Sequence, residues 1–303
     1  MKMNLFDTYR IMDSYIQLRN ADPFALQDIP AVTDADEIKS ISKLLLNAWS
    51  AEYALRITPV VNDEKYLQSA LRWTFPQAYF SVLFSARAFL AARGVHASNE
   101  EVVATRIGAL VAGFYYPESL YYYAYGFGPV MKVRHLFAGV PLLADALKQT
   151  RTVRINKAID ALQLNPKTAL RDPKKDEILL HPDVEHLSSS QFRTLIGSVG
   201  KTTFFDLMKR LRITQGEKSE LDILVSDALD VRAFHACLTN IVAHINSVHE
   251  CYIAKAIGHD AYVDLVRKLP SYLQEGFVRD RMHTRVLPQL KSDLPQLYFQ
   301  IPV

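Results

Sequence analysis

Tyr79, Val82, Leu83, Ala86 and Leu90 recur at i, i+3, i+4, i+7 and i+11 within "FPQAYFSVLFSARAFLAARGV", one face of an α-helix. This period constrains the fold more than any other feature, because a strand would place its apolar residues at every second position. Pro76 stands at a favoured first-turn position and Gly94 at a favoured C-terminal one, which predicts a helix over 76–94. Ser98 and Glu101 read as a capping box, and Val103, Ile107, Leu110 and Phe114 mark the buried stripe of the next helix. Together these segments predict a helical hairpin over 76–116, joined by "GVHA".

The same period extends along most of the chain. Residues 4–19 form an amphipathic pattern, and Thr33 opens a helix to about Thr58 with Asp34, Asp36 and Glu37 in its first turn. Helices resume near Phe204 and over Ser219–Asp230, and a long one covers 231–257 and stops at Gly258. Between them, residues 164–200 contain three prolines and no sustained period, with a short strand at "EILLH". The fold class expected is all-α: a multi-helix bundle with an irregular, basic middle segment at 164–200. Residues 1–150 would form the bundle that holds the hairpin, 151–215 the basic irregular and helical segment, and 216–303 a C-terminal helical segment packed on the first.

At 49% hydrophobic and 22% charged residues, the chain is too apolar for disorder and too charged for a membrane protein. Asp7, Arg10 and Asp13 fall where a signal peptide needs its apolar core, so a cytoplasmic protein is expected. Cys237 and Cys251 fit that compartment, and lie about 21 Å apart along one helix, too far to bridge.

Positive charge is concentrated in the middle. Residues 148–212 carry 13 Lys and Arg against 7 Asp and Glu, net +6, whereas the flanking segments are slightly acidic. Arg151, Arg154, Lys157, Lys174, Lys175, Lys209, Arg210 and Arg212 are therefore the candidate phosphate contacts for RNA, and a solvated surface is the alternative.

"GSVGKTT" at 197–203 ends like a phosphate-binding loop, but only Ser198 and Val199 separate its glycines where four residues are required. It reads instead as a loop feeding the N-terminus of a helix. On the long helix no His, Cys, Asp or Glu pair has the i, i+4 spacing of metal ligands, so no metal and no cofactor is expected. Its apolar stripe runs through Leu238, Ile241, Val242, Ile245, Val248 and Tyr252. His249 projects into the stripe as a hydrogen-bonded core histidine, with His244 at the margin. Arg232 and His235 share a face near the helix start. There an imidazole can move protons while a guanidinium holds a scissile phosphate, which makes them the candidate catalytic pair. The alternative is a surface pair. Arg87 is expected to pack its stem while its head seeks an acid or a phosphate, and "VRDRMHTR" at 278–285 is either a second anion-contacting cluster or a polar helix start.

The stretch "FYYPESLYYYAYGFGP", residues 114–129, holds six of the fifteen tyrosines and neither Lys nor Arg. Read as a short helix from Pro117 to Gly126, it buries Leu120, Tyr123 and Ala124, sets Tyr121 and Tyr125 on a flank, and points Tyr122 outward. Without basic residues among its rings it suits a protein interface, formed by Tyr121, Tyr122 and Tyr125, better than a nucleobase platform.

Tyr79, Phe80, Phe84, Ala86, Arg87, Ala88, Leu90, Ala91 and Gly94 give helix 76–94 an inner "AR" and a closing "RG". In this the segment resembles the HEPN superfamily of helical domains, with a looser likeness over 98–116 and 231–257. The resemblance implies a helical bundle, often dimeric, connected with RNA, and in many members a metal-independent ribonuclease of a toxin–antitoxin or antiviral defence system. The family signature is an Arg followed after four to six residues by a His; Arg232 and His235 have two between them. The resemblance thus also admits a non-catalytic interaction subunit with a protein partner or a second copy of itself.

Overall fold

The computed structural model describes residues 5–19, 24–61, 63–161, 171–172, 177–178, 197, 199–211 and 230–292. The fold is an all-α multi-helix assembly. Its helices are α1 (Leu5–Arg19), α2 (Ala35–Ile57), α3 (Glu64–Ala91), α4 (Glu100–Ala112), α5 (Pro141–Ala161), α6 (Phe204–Lys209), α7 (Val231–Ile257), α8 (His259–Arg267), α9 (Ser271–Gln274), α10 (Phe277–Arg281) and α11 (Leu287–Ser292). Among the described residues, two short antiparallel ribbons accompany them: β1 (Tyr123–Tyr125) with β2 (Lys132–Arg134), and β3 (Arg171–Asp172) with β4 (Glu177–Ile178). The second contains the start of the strand expected at "EILLH".

Helices α2, α3 and α7 pack together at the centre, and α1 lies against α7 and α5. One apolar core runs from Tyr9 to Val286, so the C-terminal helices complete the N-terminal bundle. No helix among the described residues is long and apolar enough to cross a membrane.

Local chemistry sets the helix ends. Asp34 accepts from the Glu37 amide at 2.8 Å to start α2, one residue later than Thr33. Helix α3 begins not at Pro76 but twelve residues earlier, where Asp63 accepts from the Tyr66 amide at 3.0 Å. Pro76 lies inside that helix, because Leu67, Leu71 and Phe75 bury the preceding turns and outweigh the one hydrogen bond proline removes. Gly94 closes the helix as expected, with the Val95 amide reaching the Leu90 carbonyl at 2.9 Å. Asn99 rather than Ser98 caps α4, accepting from the Glu101 amide at 2.8 Å.

The core holds a connected polar network. Glu52 and Glu250, both fully buried, are bridged by Arg281 of α10, whose guanidinium contacts Glu52 and donates to Glu250 at 2.6 Å. Trp49 Nε1 and Tyr262 Oη donate to the Glu250 carboxylate at 2.9 and 2.8 Å. Arg56 donates twice to Glu52 Oε1, and Asn246 donates to Glu52 Oε2 at 2.8 Å.

From Asn246 the network continues to Ser85 Oγ at 2.6 Å, then to His249 Nδ1 at 2.8 Å, and from His249 Nε2 to Tyr116 Oη at 2.9 Å. One direction of donation satisfies every member: Tyr116 to Nε2, Nδ1–H to Ser85, Ser85 to the Asn246 carbonyl oxygen. His249 is thus the hydrogen-bonded core residue that its place in the stripe implied. His244, at the margin, is paired through Nε2 with Ser119 Oγ at 2.8 Å.

Candidate functional site

The tyrosine stretch is a hairpin, not a helix. In β1, Tyr123, Ala124 and Tyr125 pair with Arg134, Val133 and Lys132 of β2. On its other edge Ala124 exchanges two backbone hydrogen bonds with Thr202, at 2.8 and 3.0 Å. In β1 the side chains of Tyr123 and Tyr125 share one face and Ala124 takes the other; Tyr123 is buried with Leu120 and Ala124, as expected, and Tyr125 is half-buried. Tyr122, expected outside at a partner interface, is fully buried, with its ring edge-on to Tyr15 at 5.6 Å. Gly126 makes the turn possible, because a Cβ there would lie 2.6 Å from the Val130 carbonyl oxygen.

Thr202 belongs to the "GSVGKTT" loop, which feeds a helix as expected. Thr203 caps α6 in a reciprocal capping box with Asp206. Gly108 lets this loop lie on α4, since a Cβ there would meet the Lys201 carbonyl oxygen at 2.8 Å. The loop brings Lys201 over the hairpin, its ammonium 5.4 Å from the Tyr123 ring centre and 5.2 Å from that of Tyr125. From β2, the Arg134 guanidinium stands 5.2 Å from the Tyr125 ring and donates to its hydroxyl at 3.1 Å. Cations absent from the stretch in sequence are thus supplied to it in space.

The rings form a continuous row. Tyr125 and Tyr123 are 6.0 Å apart, Tyr123 and His135 5.8 Å, and His135 lies 5.1 Å from Tyr121 and 5.4 Å from Phe114. Phe114 was expected in the buried stripe of α4. Instead the helix ends at Ala112, and the Phe114 ring is 54% exposed. Residues 114–139 hold Lys132 and Arg134 against Glu118 alone, and Arg19 pairs with Glu118 at 3.2 Å while lying 5.5 Å over the Phe137 ring. No family model, curated protein or solved structure matches this chain. Its chemistry must be read from the geometry itself.

Of the candidate phosphate contacts, Arg151, Arg154, Lys209 and Arg210 are engaged within the fold. Arg151 is 1% exposed and donates to the carbonyls of Gly126 at 2.6 Å and Gly200 at 2.9 Å, stapling the hairpin to the loop. Burial, followed by the nearby Arg154 charge, lowers its pKa to about 10. Arg154 donates to the Lys201 carbonyl at 2.8 Å and lies 3.0 Å from Asp206 Oδ1, a close ion pair off hydrogen-bond alignment. Neither arginine faces a solvent phosphate. Lys209 binds Glu101 at 2.5 Å, Arg210 reaches Thr150 Oγ1 at 3.5 Å, and Lys157 keeps 71% of its side chain exposed, 3.5 Å from Glu101. Lys174, Lys175 and Arg212 lie outside the described residues.

The candidate catalytic pair is not presented together. Arg232 is partly exposed, but His235 is 2% exposed, and its Nε2 has no hydrogen-bond partner among the described residues. The apolar stripe of α7 begins a turn earlier than Leu238, with Val231 and Phe234, and His235 belongs to it. Burial lowers its pKa and keeps the ring neutral. Arg281 of "VRDRMHTR" is committed to Glu52 and Glu250. Arg87 has a buried Nε without a hydrogen-bond partner among the described residues. Nor does any group of three or more His, Cys, Asp or Glu side chains among those residues stand ready to hold a metal ion.

Proposed function

We propose that this is a HEPN-like, RNA-directed helical protein that binds RNA at the hairpin face, within the toxin–antitoxin or defence setting such proteins imply. One observation carries the reading: Lys201 and Arg134 both stand over the half-buried Tyr125 ring, as in surfaces that hold a phosphate backbone beside a stacked base. The proposal assigns binding to this face and no bond cleavage to Arg232 and His235, since the imidazole is buried.

Fluorescence anisotropy with a labelled oligouridine across a salt series tests it. Binding should weaken with salt at a slope of about −0.7 per phosphate neutralised, and Lys201→Gln/Arg134→Gln should flatten that slope by about 1.4. An unchanged slope in the double variant would sink the reading. A second reading, a protein-binding subunit, is favoured by the exposure of Phe114, Val130 and Phe137, between 54% and 58%. A stable complex with the product of a neighbouring gene, seen by light scattering without RNA binding, would select it.

A further inference from the structure

Two non-glycine residues among those described have left-handed backbones, Phe114 at φ 62° and His135 at φ 59°. They are twenty-one positions apart in the chain, yet their rings lie 5.4 Å apart at 68°. Phe114 sits just past the end of α4, where the Tyr115 amide reaches the Leu110 carbonyl at 3.0 Å and the Phe114 amide reaches Val111 at 3.2 Å. This is the helix-ending pattern whose left-handed position is ordinarily glycine. A phenylalanine there strains the backbone, and a ring 54% exposed recovers little of that by burial. Local stability alone therefore does not account for Phe114.

We propose that Phe114 and His135 are held in this conformation to form a stacking corner for an unpaired base of single-stranded RNA. This rests on the RNA reading above and names the form of RNA the face accepts. Tyr121 closes the corner, 5.8 Å from Phe114 and 5.1 Å from His135, with all three rings mutually inclined. A base lying on Phe114 would meet the other two rings near its edges, while Tyr123 and Tyr125 continue the row toward Lys201 and Arg134. Bases thus occupy one end of the row and phosphates the other. A duplex keeps its base faces stacked inside and offers no such surface to the corner.

Phe114→Gly separates function from fold, because it relieves the left-handed strain while removing the ring. Its thermal midpoint should match or exceed that of the wild type, its affinity for a labelled oligouridine should fall about 10-fold, and its salt slope should not change. His135→Gly should behave alike, and the matching duplex should bind more weakly than the single strand. If Phe114→Gly binds like wild type while Lys201→Gln/Arg134→Gln weakens binding, the stacking corner is wrong and the RNA reading stands. Loss in neither variant removes both. Equal affinity for duplex and single strand, or a clear fall in the Phe114→Gly midpoint, overturns the corner.

Discussion

Replacing Arg281 with Met should destabilise the protein by about 3–5 kcal/mol, the cost of leaving buried carboxylates without their cation. Glu52 and Glu250 are both fully buried, and Arg281 is the group that bridges them. Burial works against the Arg281 charge, but Glu250 and Glu52 outweigh it and raise its pKa. Burial likewise works against the Glu52 charge; Arg281, then Arg56, and hydrogen bonds from Asn246 and Arg281 overcome it and hold the carboxyl below its ordinary value. Arg56 remains beside Glu52 in the variant, whereas among the described residues Glu250 keeps the hydrogen bonds from Trp49 and Tyr262 and no second cation.

The expected fall in thermal midpoint is on the order of 10 °C. Arg281→Lys, which keeps the charge but not the fork that spans both acids, should lose less. A shift in Arg281→Met below about 1 kcal/mol by urea denaturation would show that the carboxylates find other partners. Within a total stability of about 5–15 kcal/mol, the predicted loss is a large fraction.

Acidification should produce a loss of similar size, at a pH where most carboxylates are still ionised. Burial lowers the pKa of His249 to about 3, and burial followed by the Arg285 charge lowers that of His244 to about 4, from an ordinary 6.5. Below pH 6.5 these imidazoles take up protons in the unfolded chain while the folded protein keeps them neutral. Stability is therefore complete above about pH 6.5 and falls as pH drops toward the folded-state values. Each site contributes about 1.4 kcal/mol per pH unit, so the pair removes about 4 kcal/mol between pH 7 and pH 5. His235, lowered by burial, acts in the same direction. Below pH 4.5 protonation of Glu52 adds a further loss, because its folded-state pKa lies beneath the unfolded one. Urea midpoints from pH 8 to pH 5 measure this directly. A flat profile would mean that the histidines are solvated rather than enclosed.

Much of the helical frame was legible from the chain. Apolar period, acidic first turns and Gly94 and Gly258 place α1, α2, α4, α7 and the end of α3 correctly to within a few residues. The place of His249 in the stripe also implied its hydrogen-bonded role. Carrying that stripe one turn back, through Phe234, would have shown that His235 is buried.

What the chain hid is set by tertiary contact. A three-residue strand is too short to establish a period of two, so Tyr122 could not be told from its neighbours. Lys201 joins the tyrosines through a backbone bridge between residues 124 and 202, far apart in sequence. Arg151 and Arg154 looked like a basic surface because charge composition does not reveal that carbonyl oxygens and a buried Asp206 await their guanidinium groups. The left-handed Phe114 is the clearest case: a phenylalanine at the end of an apolar stripe reads as core until the helix is seen to stop before it.

The central claim, that RNA lies on the hairpin face, is tested most directly by photocrosslinking a 4-thiouridine oligonucleotide and mapping the modified peptides by mass spectrometry. Crosslinks should fall on residues 114–135 and on the peptide containing Lys201, and disappear with excess unlabelled single strand. Crosslinks confined to other peptides, among them the one containing Lys174 and Lys175, would place the RNA elsewhere and contradict the account.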